Sequence, residues 1–237
     1  MNNNTELTLR IICDNEARSP GVIPTNSLSI YINDEILIDA CSGPDEFTHN
    51  IRALNINLRP RLAIITTPVN HHWGGLVALR GIVNTVIIPT DNTWFGSELR
   101  GKLEELGFDV FEVGGNERLR TGFGELELIR VGNKRVGELL IYVPSHGLLI
   151  SGCGLGMWFI NDDELLSFFK RLGIRYFVGG LGASAVSEYQ GSIIRGLIRN
   201  LRGVYPLHGT GPRLRRELVS LRNVHDVGAG SVVRLGW

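Results

Sequence analysis

The chain has no excess of charge of either sign, since 24 Lys and Arg residues are balanced by 24 Asp and Glu residues. This balance argues against long-range attraction to nucleic acid or to an anionic membrane, so any anion must be bound by local groups. The sequence also lacks an apolar run near the ~20 residues that a membrane helix requires, and its beginning lacks the basic and apolar segments of a signal peptide. We therefore expect a soluble, cytoplasmic protein with no nucleic-acid or membrane partner.

Cysteine is scarce as well. Cys13, Cys41 and Cys153 are scattered without the CxxC spacing of a zinc knuckle, and their odd number argues against a disulfide framework. We therefore expect neither a disulfide framework nor a cysteine zinc site.

What the sequence does contain is an alternation of short β-rich runs with helical patterns, and no linker or charge block divides it. We expect one domain over residues 1–237, with a hairpin turn at Asn33 and Asp34 in its first sheet. Because each half supplies strands and helices of its own, the pattern predicts an α/β (α+β) fold, in which two mixed sheets pack face to face as a four-layer αββα sandwich. Helices are expected at about 45–54, 73–79, 95–106, 162–172, 187–201 and 212–221.

The segment 65–76, ITTPVNHHWGGL, carries two adjacent histidines before a Gly-Gly-Leu sequence. It resembles the THxHxDHxGGL loop of the metallo-β-lactamase superfamily. The rest of the chain is most similar to the branch typified by dihydropterin ribofuranosyl-aminobenzene phosphate synthase. That likeness covers nearly the whole chain and rests on the pair Asp14 and Asn15, ILIDAC with Asp39, the helix with Asn50, and the later segments GCGL, GGLG and HGTG. The resemblance implies the four-layer sandwich, and a metal-dependent hydrolase or synthase.

Most metal ligands of that family are replaced. Alignment of Gly-Gly-Leu leaves His72 and His208 as the family's residues, whereas the other five positions compared hold Thr67, Val69, His71, Leu155 and Gly182. A catalytic zinc ion needs about three protein ligands, and a two-metal site needs roughly twice as many. We therefore expect no dinuclear centre and, in the favoured interpretation, no metal cofactor.

A reduced site is the alternative. His72 and His208 could hold one Zn, Fe or Mn ion, with His71 or Asp39 as a third donor. Adjacent side chains diverge by about 100° in a helix and point to opposite sides in a strand, so we expect His71 and His72 not to share an ion. Hydrogen-bonded histidines are the favoured interpretation.

A second candidate feature is the segment HGTGPRLRRE. Thr210 or Gly211 could cap a helix that begins at Pro212, and its free amides, with His208 and nearby arginines, could hold a phosphate or carboxylate. The alternative is an ordinary capped helix with a solvated basic face.

Several other residues have both a functional and a structural interpretation. Cys153 lies where the family places a cysteine beside the metal, but a small buried hydrophobe is its default role. Asp39 is either a carboxylate near the site or a turn residue. Trp73, Trp94 and Trp158 could form a surface for an aromatic ring or pack in the core. His49, His146 and His225 are expected on surface turns or helix ends.

The favoured hypothesis is a degenerate metallo-β-lactamase-like protein that binds a small anionic, pterin-like or nucleotide-like ligand. Its binding residues would be His71, His72, Asp39, Cys153, His208, Thr210 and Gly211. The alternative is a hydrolase or pterin-pathway synthase with a single metal held by His72, His208 and His71, and a third hypothesis is a structural subunit of a complex. A homodimer is the expected assembly, as the commonest one for soluble oligomers.

Overall fold

Two mixed sheets form the centre of the protein. The structure is a computed structural model that describes residues 6–159, 162–182 and 194–236. The first sheet has the order β13-β1-β2-β3-β4-β5-β6 and the second the order β12-β11-β10-β9-β8-β7. Strands of the first sheet are β1 Leu7–Cys13, β2 Ser29–Ile32, β3 Ile36–Ile38, β4 Leu62–Ile64, β5 Thr85–Pro89, β6 Asp109–Val113 and β13 Val232–Leu235. Those of the second are β7 Asn116–Thr121, β8 Gly124–Gly132, β9 Gly137–Val143, β10 Leu148–Ser151, β11 Tyr176–Gly179 and β12 Gly203–Pro206.

Helices lie close to where the pattern places them. They are α1 Pro44–Ala53, α2 Asn70–Trp73, α3 Trp94–Glu105, α4 Asp162–Leu172 and the last helix Pro212–Leu218, with 3₁₀ turns at Gly74–Leu79 and Leu155–Met157. Residues 194–198 are helical too, whereas the start of the helix predicted at 187–201 lies outside the described residues. The helix predicted from Trp73 begins three residues earlier and continues as a 3₁₀ turn. No helix of the described chain is both long and apolar enough to cross a bilayer.

Three apolar clusters hold these layers together. The central cluster joins the facing sides of the sheets, for example Leu9 and Ile30 of the first with Leu128 and Ile141 of the second. A second cluster lies between the first sheet and α1 and α3, and a third lies between the second sheet and α4. Because side chains alternate along a strand, each sheet can contact its partner on one side and helices on the other. The predicted four-layer αββα sandwich is confirmed.

The first three strands carry one confirmed and one wrong prediction. Asn33 and Asp34 have φ of 45° and 53°, as the predicted hairpin turn requires. Cys13 and Cys41 form a disulfide, with 5.9 Å between their Cα atoms, so the argument from the odd number of cysteines against disulfides is wrong for this pair. β1 and β3 run in the same direction on either side of β2. Because β2 begins at Ser29, no strand separates Cys13, at the end of β1, from Cys41, beyond the end of β3, and the two can come together. An odd count excludes complete pairing of cysteines but not one pair.

Candidate metal centre

The candidate site forms where parallel strands of the two sheets end. β3, β4 and β5 are parallel in the first sheet, and β10, β11 and β12 are parallel in the second. In α/β sheets, ligand sites form outside the carboxyl ends of such strands. Asp39 follows β3, His71 and His72 follow β4, Cys153 follows β10, and His208 follows β12.

Four of these side chains converge. One donor atom from each of His71, His72, Cys153 and His208 lies within 4.8 Å of the other three. The Cys153 Sγ is 3.8 Å from His71 Nε2 and 3.7 Å from His208 Nε2. The imidazole centroids are 4.5 Å apart for the adjacent pair, and the His208 ring lies 4.9 Å from His71 and 5.3 Å from His72. We call these four residues the histidine–cysteine cluster.

The expectation that the adjacent histidines would point apart is wrong. They lie on α2, a single turn that begins where the loop after β4 ends. Their Cα–Cβ bonds do diverge on such a turn, but an imidazole extends far enough from Cβ for both rings to swing toward one point. His72 is fully buried beneath this point, and His71 is partly exposed beside it.

Asp39 fixes the orientation of His72. Its Oδ2 lies 2.7 Å from His72 Nδ1, and Thr66 donates to both carboxylate oxygens, from its backbone N–H and its hydroxyl, at 2.7 Å each. Both Asp39 and His72 are completely buried. The carboxylate therefore lies behind the ring and outside the cluster, so Asp39 is not a third donor but supports one of the donors. This carboxylate–histidine pairing is the usual support of a metal-ligating imidazole.

The opposite nitrogen of His72 faces the cluster. His72 Nε2 is buried and has no hydrogen-bond partner among the described residues. Burial opposes a charged imidazole here, but Asp39, with a smaller contribution from Cys153, outweighs it and raises the pKa of His72 to about 10. A buried polar nitrogen without a partner requires an explanation, and a metal ion in place of its proton supplies one.

His208 is also held by hydrogen bonds, which Asn15 and Asp14 accept. Its Nδ1 lies 2.7 Å from Asn15 Oδ1, which can only accept, so Nδ1 carries the proton and Nε2 is left with its lone pair toward the cluster. Its backbone N–H donates to Asp14 Oδ1 at 2.6 Å, and the other oxygen of Asp14 accepts from Arg215 at 2.9 Å. Asp14 is completely buried, and burial raises its pKa against the opposing effect of Arg215.

The remaining histidines of the cluster are neutral at neutral pH. Burial, reinforced by His72 and His71, lowers the pKa of His208 to about 3. Burial, reinforced by His72 and opposed by Asp39, lowers the pKa of His71 to about 4. Neutral imidazole is the form that binds a metal ion.

Cys153 is presented by a loop that packs against the first sheet. Glycine is required there, because a Cβ on Gly152 would lie 2.0 Å from Thr66 Oγ1, and one on Gly209 would lie 2.2 Å from the Cys153 carbonyl oxygen. Glu138 accepts hydrogen bonds from the backbone N–H groups of Gly152 and Cys153 at 3.0 and 3.2 Å. Cys153 is partly exposed and lies outside the disulfide.

The cluster fits one metal ion. Tetrahedral coordination with Zn–N near 2.0–2.1 Å and Zn–S near 2.3 Å separates sulfur from nitrogen by about 3.5 Å. The Cys153 sulfur lies 3.8 and 3.7 Å from the nitrogens of His71 and His208, close to this value, whereas the widest pair of donor atoms, up to 4.8 Å apart, would have to move together by about 1 Å. Three imidazoles and a thiolate favour zinc, copper or iron, whereas manganese prefers carboxylates. Among the described residues no second group of this kind is found, and Leu155 is buried in the third apolar cluster.

Residues 208–211, the predicted anion site, make several contacts within the fold. The Thr210 hydroxyl donates to the Gly179 carbonyl at 3.3 Å, and Gly211, with φ of 73°, precedes a helix of only seven residues. Arg215 is buried against Asp14 and donates to the Val227 carbonyl, so a fully solvated basic face is wrong for this residue. Thr210 and Gly211 remain ligand residues only as a prediction.

Other candidates are dispersed. Trp73 is buried, with its indole N–H bonded to the Pro68 carbonyl at 2.9 Å, while Trp94 is 69% exposed and Trp158 donates to Glu138. They do not form a common aromatic surface. His146 is completely buried, so its predicted surface position is wrong, because the turn that follows β9 is covered by the chain around it.

Three residues that organise the site were not predicted to do so. Asn15 was noted only as part of the resemblance, and Arg215 only as one of the arginines near residues 208–211, as a donor to an anion or as part of a basic face. Glu138 was not singled out, although an acid inside the apolar strand GELLIYV is a sequence signal for a buried carboxylate with partners.

Comparison with known proteins supports the fold. A diphosphatase of the PhnP family superimposes with a TM-score of 0.63 and 13% identity over 96% of this chain and 97% of that chain. This likeness shows that the two proteins share a fold. The mono-zinc form of metallo-β-lactamase FIM-1 from Pseudomonas aeruginosa matches with a TM-score of 0.42 and 16% identity over 82% of each chain. No protein-family model and no curated protein matches the sequence.

Proposed function

We propose that this protein is a metal-dependent hydrolase with a single ion bound by the histidine–cysteine cluster. The observation that carries this proposal is the convergence of four donor atoms within 4.8 Å, one of which, His72 Nε2, is buried with no partner at hydrogen-bond distance among the described residues. It replaces the favoured sequence hypothesis of a metal-free ligand-binding protein with its single-metal alternative. Cys153 is added to the ligands that this alternative contained.

The ligands have different supports. Asp39 accepts a hydrogen bond from His72 Nδ1, and Asn15 accepts one from His208 Nδ1. Both Nε2 atoms are therefore left to bind the ion. His71 and Cys153 are the partly exposed members, and the substrate would approach from their side. A bound zinc ion supplies Lewis acidity and lowers the pKa of a bound water molecule. The hydrogen bond to the buried Asp39 carboxylate can keep the proton on His72 Nδ1 while the substrate is bound.

For the substrate we propose a small anionic molecule, in keeping with the resemblance to the dihydropterin synthase-like branch. The positive charge of an ion at the cluster would attract it. A phosphate ester is one member of this class, and it can be tested with chromogenic compounds.

A second function is favoured by the number of donors. Catalytic zinc sites keep one position open, whereas four protein ligands close a tetrahedral site and make it structural. If Cys153 remains bound throughout, the ion would stabilise a non-catalytic protein. Replacement of Cys153 by Ser separates the two functions. If the protein is a hydrolase whose substrate binds at the fourth coordination position of the ion, the variant retains the ion and retains or gains turnover.

The experiment is metal analysis of protein purified without chelator, together with hydrolysis of bis(p-nitrophenyl) phosphate. We expect about one equivalent of zinc or iron per chain, and we expect both the metal and the activity to be lost in His72→Ala. His49→Ala is the matched control, because His49 is exposed and bonded to the Gly21 carbonyl, away from the cluster. Two equivalents of metal, or none, would contradict the proposal.

A further inference from the structure

The most unusual acid outside the histidine–cysteine cluster is Glu138, the second residue of β9. It is 1% exposed, and among the described residues it has no cationic partner. Its carboxylate accepts four hydrogen bonds instead. They come from the hydroxyl of Ser151, the N–H groups of Gly152 and Cys153, and the indole of Trp158. A buried carboxylate is tolerated when its oxygens are satisfied in this way.

These four donors belong to one stretch of chain. Ser151 ends β10, Gly152 and Cys153 follow it, and Trp158 closes the 3₁₀ turn after them. Glu138 Oε1 accepts from the first three at 3.0, 3.0 and 3.2 Å, and Oε2 accepts from Trp158 at 2.6 Å. The whole Cys153 loop is therefore fixed around one carboxylate.

The backbone on both sides of Glu138 is fixed to the opposite sheet. The N–H of Gly137 donates to Asp91 Oδ2 at 3.1 Å, and the N–H of Leu139 donates to the Thr66 carbonyl at 2.8 Å. Thr66 in turn binds Asp39, which holds His72. The strand segment around Glu138 thus connects the loop that bears Cys153 with the sheet that bears His71 and His72.

We propose that Glu138 is a positioning residue, which sets the distance of the Cys153 thiolate from His71, His72 and His208 and so decides whether sulfur binds the ion. This inference rests on the proposed metal site, because it assigns the residue that completes it. Without the carboxylate, the donors of Ser151, Gly152 and Cys153 would lose their common hydrogen-bond acceptor. The position of the Cys153 sulfur would then no longer be fixed.

The test is cobalt(II) binding to metal-free protein, because a cobalt–thiolate bond gives a near-ultraviolet charge-transfer absorption that imidazole ligands alone do not give. We expect Glu138→Gln to keep bound cobalt with a weakened thiolate band and an affinity lower by about 10–100-fold, the usual effect of removing a residue that supports a ligand. The amide nitrogen of Gln would face the indole N–H of Trp158, donor against donor. Glu138→Gln/Trp158→Phe removes that conflict and should recover most of the band.

Asn50→Ala is the matched control. Asn50 is also completely buried, and it also holds backbone groups, the N–H of Ile23 and the carbonyls of Ile12 and Ile23, but it bonds neither to the Cys153 loop nor to the backbone beside Glu138. We expect it to lower thermal stability and leave the thiolate band unchanged.

The outcomes separate this inference from the proposed function. A wild-type thiolate band and affinity in Glu138→Gln would overturn the positioning role and leave the metal site intact. An equal loss of the band in Asn50→Ala would also overturn it, since general destabilisation would then be the cause. Failure of the wild-type protein to bind cobalt would overturn both proposals.

Discussion

The sharpest test of the packing around the cluster is Gly152→Ala. The added Cβ would lie 2.0 Å from Thr66 Oγ1, 2.7 Å from Thr66 Cβ and 3.3 Å from His72 Cε1. Favourable contacts between carbon atoms are about 3.5–4.0 Å long, so Thr66 or the Cys153 loop must move by more than about 1 Å. Thr66 cannot move alone, because its N–H and hydroxyl are both bonded to Asp39.

The expected cost follows from this overlap. Overpacking of a closed interior costs about 1–3 kcal/mol. For a chain of this length each kcal/mol lowers the melting temperature by about 2–4 °C, which gives a decrease of about 2–12 °C in metal-free protein. Zinc affinity should fall by at least about tenfold, because Thr66, Asp39 and His72 shift together.

Thermal unfolding in the presence of a chelator and competitive zinc titration measure the two effects. Gly101→Ala is the control, since Gly101 lies inside α3 with nothing within 4 Å of the added Cβ. We expect it to stabilise the helix by about 0.5–1 kcal/mol and to leave zinc affinity unchanged. If Gly152→Ala melts and binds zinc as the wild type does, the close approach of the Cys153 loop to Thr66 is refuted.

Three further predictions concern the supports of the cluster. Asp39→Asn should weaken zinc binding by about 10–100-fold in a competitive titration, and unchanged affinity would show that Asp39 does not support His72. Replacing Cys13 and Cys41 by Ser should lower the free energy of unfolding in urea by about 3.5 kcal/mol, the loop-closure value for the sequence separation of 28, with no change counting against the disulfide. In metal-free protein the pKa values of His208 and His71, lowered to about 3 and 4, mean that the unfolded chain binds more protons below pH 6.5. Stability should therefore fall as the pH decreases from 6.5 toward 4, and a urea midpoint that stays constant over this range would contradict the burial of these rings.

The layers of the fold could be predicted from the sequence because they follow from local periodicity. Leu7, Leu9 and Ile11 alternate along β1 and all lie in the central cluster, while Ile12 lies in the second cluster. The Asn33 and Asp34 turn was equally local, since those residue types tolerate positive φ. The disulfide between Cys13 and Cys41 was not predicted, because it depends on where two strands of the same direction end.

The sequence by itself determined the sandwich, and five of its seven positions compared with the metal-ligand motifs of the family it resembles hold other residues. It also brought His71, His72, Cys153 and His208 into consideration one at a time. Only the tertiary structure decided that these four share one point, with Asp39, Asn15 and Glu138 behind them. The physical reason is that rotation about side-chain bonds and the meeting of two sheets place the donor atoms, and neither is encoded in the spacing of residues along the chain.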